Sequence, residues 1–252
     1  AVQLAGGARL LVPGGFGALL LPRMANALAE GREVAGRRMA VSTTYLCALA
    51  APLVALGVVF AEAIIGLLYG EAFAPAAFAF AFCLATGAFS TLSQAASGYL
   101  LGSDRQRTLM FVVLGGAIVK IALDIALIQR FGLNGAVVAY GATSALMGSV
   151  MIGVALYCSG ARLEWGRMAR VLLAALLAAA IAWAVRGQLA PLPGLLLGGI
   201  LLSLAYVAAT LMFGFWSAAD LQYIRALHSR FAKGRPAFIA RLLDWAGRRA
   251  GA

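Results

Sequence analysis

Apolar residues fill most of this chain in long runs, which short polar or basic segments separate. Seven such runs stand at roughly residues 1–22, 39–61, 76–100, 109–129, 134–157, 169–186 and 194–216. Each is close to the length of about 20 residues that an α-helix needs to cross the hydrocarbon core of a bilayer. No run alternates apolar and polar residues with a period of two, as a barrel strand would. The pattern predicts an all-α, polytopic membrane bundle of about seven transmembrane helices.

Composition agrees with a membrane protein and excludes an ordinary soluble domain. Hydrophobic residues make up 63% of the chain and charged residues only 12%, and the mean hydropathy is +0.93. The 30 glycines suit helices that pack closely through small residues. Cys47, Cys83 and Cys158 have spacings unlike those of metal or redox motifs, so we interpret them as small core residues. We therefore expect no metal and no other cofactor.

The distribution of basic residues predicts which face of the membrane each loop lies on, and it separates the bundle from a C-terminal tail. The segments after the first, third and fifth runs and the C-terminal tail hold four, two, three and seven of the 20 lysines and arginines, so 16 lie on one face. Cytoplasmic loops are enriched in these residues, which predicts a multi-pass protein with a cytoplasmic C-terminus. Residues 1–217 then form the bundle, and residues 218–252 form a basic amphipathic tail that contacts membrane lipids. The net charge of +11 is a topology signal and requires no nucleic acid partner.

The chain starts without methionine and inside an apolar run. This start predicts that the sequence is the C-terminal part of a longer transporter of 12 to 14 helices, in which a second half would be related to this one by pseudo-symmetry.

Ionisable residues inside membrane spans are costly and mark functional sites more often than other residues do. Lys120 follows Thr108 by 12 residues, which places it about 18 Å along the fourth span, near the middle of a bilayer. Asp124 stands one helical turn later and can neutralise it. The pair is either a structural link or part of a substrate cavity with a role in ion coupling. Arg9 is the other cation within a span.

Four further positions, Pro13, Gly14, Pro52 and Gln94, predict irregular or polar stretches of helix. Pro13 and Gly14 in the first span and Pro52 in the second favour kinks, which act as hinges or line cavities in transporters. Gln94 belongs to a polar group in the third span whose other members are Thr91, Ser93 and Ser97. This group either lines a wet cavity or forms hydrogen bonds between helices.

Four short motifs follow one another in order along residues 1–158. They are an arginine and Pro-Gly followed by Leu-Pro (residues 9–24), Ala-Pro-Leu with the turn LLYGEAF (residues 51–73), a small-residue and charged turn (residues 97–105) and the hairpin with RFGLNGA (residues 120–136). In this order they resemble helices eight to twelve of the multidrug/oligosaccharidyl-lipid/polysaccharide flippase superfamily. Within it, the likeness is to the polysaccharide and lipid II flippases.

Two departures favour the polysaccharide branch, which includes O-antigen and exopolysaccharide flippases. Ala8 stands where lipid II flippases carry an acidic residue, and Gln129 with Arg130 replaces the proline of their hairpin. The resemblance implies a transporter of the bacterial inner membrane that moves a polyprenyl-diphosphate-linked oligosaccharide from the cytoplasmic to the periplasmic leaflet, by alternating access. Its role would be polysaccharide, lipopolysaccharide or other cell-envelope biosynthesis, beside other polysaccharide assembly proteins.

A diphosphate that crosses hydrocarbon must exchange water for fixed cationic partners. Arg9 falls on the arginine of the family's cavity-lining helix and can bind phosphate oxygens in a bidentate way, whereas Lys120 would act as a point charge. The resemblance therefore makes Arg9 the first phosphate contact, with Lys120 and Asp124 as further substrate-binding residues. The alternative for Arg9 is a side chain that extends to the interface.

Two other classes remain open. A cation-coupled multidrug antiporter of the same superfamily would carry more acidic residues in its spans than Asp124. A membrane-embedded transferase of envelope lipid synthesis would need paired carboxylates or a metal cluster, and the only histidine, His228, stands alone in the tail. We therefore predict that the chain is not an enzyme and has no catalytic residues.

Overall fold

The computed structural model describes residues 15–187, 190–217 and 220. These residues form eight α-helices and a short 3-10 turn, Glu71–Phe73, and contain no β-strand. The helices are α1 Gly15–Glu30, α2 Arg32–Val59, α3 Ala61–Tyr69, α4 Ala76–Leu92, α5 Gln94–Gly102, α6 Gln106–Ser159, α7 Trp165–Arg186 and α8 Pro191–Met212. The predicted all-α fold class is confirmed.

Five helical segments of the described residues are long and apolar enough to span a membrane. Four of them are the helices α2, α6, α7 and α8. The fifth is the continuous stretch Ala76–Gly102, which α4 and α5 form together. The chain is therefore compatible with a membrane-embedded helical protein. The first predicted run overlaps α1 only in part, because residues 1–14 lie outside the described residues.

The 54-residue helix α6 is folded back on itself at Gly132. Gly132 has φ 56° and ψ −130°, a backbone conformation that glycine alone adopts readily. A Cβ on Gly116 would collide with the Met147 side chain, and a Cβ on Gly135 would collide with the carbonyl oxygen of Leu127. In a straight helix residues 116 and 147 would be about 46 Å apart. Residues 106–131, the first arm, and residues 133–159, the second arm, therefore form an antiparallel hairpin, as the RFGLNGA motif predicted.

Two boundaries differ from the hydrophobic runs. Helix α2 begins at Arg32, seven residues before the apolar run, because a polar first turn extends a helix beyond the hydrocarbon. Phe60 leaves the helical conformation at φ −106° and ψ 19°, and a separate helix α3 follows, which ends at Gly70 with φ 90°.

The bundle has one end where arginines gather. Arg105 Nη1 donates a hydrogen bond to Cys158 Sγ at 3.2 Å, which joins the turn before α6 to the end of α6. Arg167 Nε donates one to the carbonyl of Phe215 at 3.2 Å, which joins the start of α7 to the segment after α8. We call this the basic end; its arginines are Arg32, Arg37, Arg38, Arg105, Arg107, Arg162, Arg167 and Arg170. At the opposite end Arg186 Nη1 donates a hydrogen bond to the carbonyl of Val59 at 3.1 Å.

Helix α7 shows how the core is built. Its buried face is a row of alanines, with Ala174, Ala178 and Ala182 fully buried at intervals of four residues. Its outer face carries leucines, of which Leu176 is 67% exposed. Lipid tails are as apolar as leucine, so membrane helices gain more by burying small residues that allow close backbone contact. Gly198 of α8 follows the same rule, because a Cβ there would collide with Phe60.

Candidate functional site

Lys120 and Asp124 lie on one face of the first arm and form an ion pair. Lys120 Nζ donates a hydrogen bond to Asp124 Oδ2 at 2.6 Å, and the two side chains are 43% and 29% exposed. They are one helical turn apart, which is the spacing at which helix side chains meet. An ammonium group has three N–H donors, so this bond leaves two for another ligand.

The pair lies at half the height of the hairpin. Lys120 is about 21 Å from the start of the first arm at Gln106 and about 17 Å from its end at Phe131. A hydrocarbon core is about 30 Å thick, so the pair is too far from either end of the helix to contact water there. The partly exposed charges therefore require either a protein partner or a water-filled space on that face.

The face that carries the pair is not the seam of the hairpin. Gly116 packs against Met147 of the second arm and marks that seam, and Asp124, eight residues further along, points about 80° away from it. Opposite the seam the arm presents large apolar side chains, among them Ile118 at 61% and Phe111 at 65% exposed. The pair thus occupies a third face, between the seam and the apolar side.

Gln94 is the other polar side chain of interest inside a span. Its Oε1 atom is buried and is the one buried side-chain oxygen or nitrogen of the described residues that has no hydrogen-bond partner. Ser93 Oγ donates to the carbonyl of Ser90 at 2.9 Å, and Ser97 Oγ donates to that of Ser93 at 3.0 Å. These two serines bond within their own helix segment and form none of the hydrogen bonds between helices that the sequence suggested.

Gln94 and the ion pair lie at different depths. Gly141 and Gly148 of the second arm pack against Phe82 and Phe89, respectively, so the arm runs parallel to α4. Through this register and the contact of Gly116 with Met147, Gln94 lies about 15 Å nearer the basic end than Lys120. The structure therefore places two of the predicted site residues together, Lys120 and Asp124, and keeps Gln94 apart from them.

The proline and arginine predictions have different outcomes. Pro52 lies half-buried inside α2, which continues through it from Arg32 to Val59. The backbone leaves the helical conformation eight residues later, at Phe60. A hinge role for Pro52 stays a prediction. Arg9, Pro13 and Gly14 lie outside the described residues, and so does His228 with the tail, of which only Asp220 is described.

A network around Arg167 at the basic end was not predicted from the sequence. The Arg167 guanidinium donates to the carbonyl of Phe215 at 3.0 and 3.2 Å and to Glu164 Oε2 at 2.7 Å. Its carbon lies 4.9 Å from the ring centroid of Phe215 and 5.6 Å from that of Tyr45. Because Tyr45 and Phe215 are far from Arg167 in the chain, only the tertiary fold shows that they meet.

Asp220 completes this network from the first described residue of the tail. It accepts hydrogen bonds from Tyr45 Oη at 2.6 Å and from Ser217 Oγ at 2.7 Å, and Arg167 Nη2 lies 3.6 Å from its Oδ2. Burial alone would raise the pKa of the Asp220 carboxyl, but the hydrogen bonds from Ser217 and Tyr45 and the charge of Arg167 outweigh it and hold this pKa below its ordinary value of 3.8.

A cavity of about 770 Å³ opens at the opposite end of the bundle, between α2, α3, α7 and α8. Glu62, Glu71 and Arg186 are its charged lining residues. Among the described residues no three histidine, cysteine, aspartate or glutamate side chains group in a way that could hold a metal ion.

Comparison of the chain with protein-family models, with curated proteins and with solved structures gives no match.

Proposed function

We propose that this chain is the C-terminal part of a flippase of the bacterial inner membrane, which moves a polyprenyl-diphosphate-linked oligosaccharide from the cytoplasmic to the periplasmic leaflet. The motif series that resembles polysaccharide flippases supplies the substrate class. Seven spans follow if the two arms of α6 each cross the membrane and the run that includes α1 adds one more to the other four. The basic end then faces the cytoplasm and carries the C-terminus with it.

The Lys120–Asp124 pair is the observation that carries the proposal. A partly exposed ion pair at half the height of a membrane helix is unfavourable against lipid and favourable against a polar cavity. A flippase for a diphosphate needs such a cavity, with cations along it that replace the water lost by the phosphates. Lys120 keeps two N–H donors for phosphate oxygens, and Arg9 supplies the bidentate contact.

The same pair weighs against the drug antiporter. A cationic drug needs an acidic side chain whose charge is not already neutralised. Asp124 is 2.6 Å from an ammonium group, so the one acidic residue inside the predicted apolar runs is occupied. A lipid II flippase of the same superfamily remains the nearest alternative, and the two differ in the sugar and peptide part of the cargo.

Flipping in vesicles by the full-length protein, of which this chain is proposed to be the C-terminal part, tests this proposal. Wild-type protein should expose fluorescent lipid-linked oligosaccharide on the opposite leaflet, and Arg9→Gln should slow this by roughly tenfold, because one charge-assisted hydrogen bond is worth about 1.5–3 kcal/mol. The matched control is Arg130→Gln at the exposed hairpin turn, which should stay within about twofold of wild type.

Three results would contradict parts of the proposal. Wild-type vesicles that flip no lipid-linked oligosaccharide would remove the function, and uptake of a cationic drug in its place would establish the antiporter. Preference for lipid II over an oligosaccharide without peptide would select the peptidoglycan branch. Normal flipping by Arg9→Gln at equal protein levels would remove Arg9 from the substrate site.

A further inference from the structure

Pro52 leaves one backbone carbonyl of α2 without its helical partner. In an α-helix the N–H of residue 52 would donate to the carbonyl of residue 48, and proline has no N–H. Helix α2 nevertheless continues through Pro52 from Arg32 to Val59, and Ala48 and Pro52 are both only partly exposed. An unpaired carbonyl inside a membrane bundle is costly, so Ala48 requires a donor from elsewhere.

Tyr206 of α8 supplies this donor. Its Oη donates a hydrogen bond to the carbonyl of Ala48 at 2.7 Å, across 158 positions of the chain, and Tyr206 is buried. Two other hydroxyls in α2 act differently, because Thr43 and Thr44 donate to the carbonyls four residues before them in the same helix. Tyr206 thus stands in place of the missing N–H, and it does so from a second helix.

Pro52 divides α2 into two parts that are held by different neighbours. Before it, Tyr45 joins α2 to the Arg167 network at the basic end. After it, α2 packs against α8, where Phe60 contacts Gly198. The hydrogen bond from α8 therefore lies at the boundary between a part of α2 that is fixed at the basic end and a part that lies toward the opposite end.

The part of α2 after Pro52 forms one wall of the cavity of about 770 Å³ at the opposite end of the bundle. Val59 and Phe60 line this cavity near the end of α2, and Gly194 lines it from α8. A helix with an internal proline bends away from the face that carries the ring, because the ring pushes aside the carbonyl four residues earlier. In α2 that face is turned toward α8, the helix that donates the hydrogen bond. A bend at Pro52 would therefore move the α2 wall away from α8 and widen the cavity.

We propose that Tyr206 is the latch of a hinge at Pro52. With its hydrogen bond to Ala48 in place, α2 is one continuous helix and the wall of the cavity stays against α8. When the bond breaks, the Ala48 carbonyl loses the donor that replaces the N–H of residue 52, α2 bends at Pro52 and the cavity widens. The part of this motion in transport rests on the proposed function, in which this end of the bundle faces the periplasm and opens during alternating access.

A double-mutant cycle tests whether the Tyr206 hydroxyl replaces the missing N–H. Pro52→Ala returns an N–H to residue 52, so α2 then supplies the partner of Ala48 itself. In the full-length protein in lipid nanodiscs, Tyr206→Phe should raise the equilibrium constant of unfolding about tenfold when residue 52 is proline and less than about twofold in the Pro52→Ala variant. The matched control is Thr44→Val, which removes a buried hydroxyl from a carbonyl that keeps its helical N–H and should have the same small effect in both backgrounds. Equal effects of Tyr206→Phe in the two backgrounds would overturn the proposal, because the hydrogen bond would then be independent of Pro52.

Distances between two spin labels test the bend itself. The labels replace Val58 of α2 and Leu192 of α8, which are both exposed, and Cys158, the native cysteine of this chain that is not buried, is replaced by serine. Val58 lies about 9 Å beyond Pro52, so a bend of about 25° displaces it by about 4 Å. We expect one distance in wild type, a second one about 4 Å longer in Tyr206→Phe, and one distance again when Pro52→Ala is added. Tyr206→Phe with the wild-type distance alone, or with both distances after Pro52→Ala, would overturn the hinge.

Flipping by the same variants connects the hinge to transport. Pro52→Ala removes the hinge, and we expect it to lower the initial flipping rate of lipid-linked oligosaccharide to less than about half of the wild-type rate, whereas Thr44→Val should not change this rate. Flipping by Pro52→Ala at the wild-type rate would remove the hinge from transport and keep the proposed function. Label distances that respond as expected in a protein that flips no lipid-linked oligosaccharide would reject the proposed function and keep the latch.

Discussion

The Lys120–Asp124 pair and the Arg167 network are built in opposite ways. The pair lies within one helix, four residues apart, and within the part of the chain that the structure describes it joins no distant segments. The network brings Tyr45 of α2, Arg167 of α7 and Asp220 from the end of the described chain to within hydrogen-bond or ring contact. The Lys120–Asp124 pair places charge at one depth of the hairpin, and the Arg167 network holds helices to each other. Charge in a membrane bundle thus serves two separate purposes.

The surroundings of the two clusters predict different responses to substitution. The pair lies at half the height of the hairpin, where water does not solvate a charge that has lost its partner. The network lies at the basic end, close to the aqueous interface, and Arg167 and Asp220 each have several hydrogen bonds. Loss of one partner should therefore be severe for the pair and moderate for the network, although the network contains more contacts.

Breaking the ion pair should give the largest effect. Asp124→Leu or Lys120→Met alone leaves an uncompensated charge inside the membrane, and we expect a loss of about 3 kcal/mol in stability. The double variant Lys120→Met with Asp124→Leu should return to within about 1 kcal/mol of wild type, because replacing both partners by apolar residues is often neutral. Thermal unfolding in lipid nanodiscs measures all three variants.

Flipping by the double variant separates the two interpretations of the pair. If Lys120 contacts phosphate, as proposed, the double variant folds and flips at most about a tenth of the wild-type amount. A double variant that is as stable and as active as wild type would make the pair a structural link only. A double variant as unstable as the single ones would show that the pair has further partners in the bundle.

Arg167→Ala should give the next largest effect. It removes the hydrogen bonds to Phe215 and Glu164 and the contact with two aromatic rings, for an expected loss of about 2 kcal/mol. Arg167→Lys keeps the charge but cannot form the planar fork, so we expect roughly half of that loss. The matched control is Arg170→Ala. The exposed Nη1 of Arg170 donates one hydrogen bond to the carbonyl of Gly214 at 3.1 Å, so this variant should lose less than about 0.5 kcal/mol of stability. Equal losses for Arg167→Ala and Arg170→Ala would mean that the network does not hold the helices together.

Sequence and structure agree where the controlling interaction is local. The apolar runs predicted the helices, and the RFGLNGA motif predicted the hairpin, whose Gly132 has a conformation that glycine alone adopts readily. The four-residue spacing predicted the Lys120–Asp124 contact. The sequence did not predict the break at Phe60, whose ring packs against Gly198 of α8. Nor did it predict the contact of Tyr45 with Asp220, because the order of residues does not show which segments come together at one end of the bundle.

The smallest expected effect concerns the pH dependence of the Asp220 contacts. The folded pKa of Asp220 is below its ordinary value of 3.8, so the ionised carboxylate stabilises the fold above that pH and this contribution is lost as the pH falls through the folded pKa. Wild type should exceed Asp220→Asn in stability by about 1 kcal/mol, unchanged from pH 8 to pH 5, and the difference should shrink below pH 4. Thermal unfolding across this range measures it, with Glu33→Gln as the control, because Glu33 is 93% exposed and 3.9 Å from Arg37 and should contribute under about 0.5 kcal/mol. A difference between wild type and Asp220→Asn that disappears between pH 8 and pH 6 would instead trace the contribution to another titrating group, and the Asp220 carboxylate would then not be what joins the start of the tail to α2 and α7.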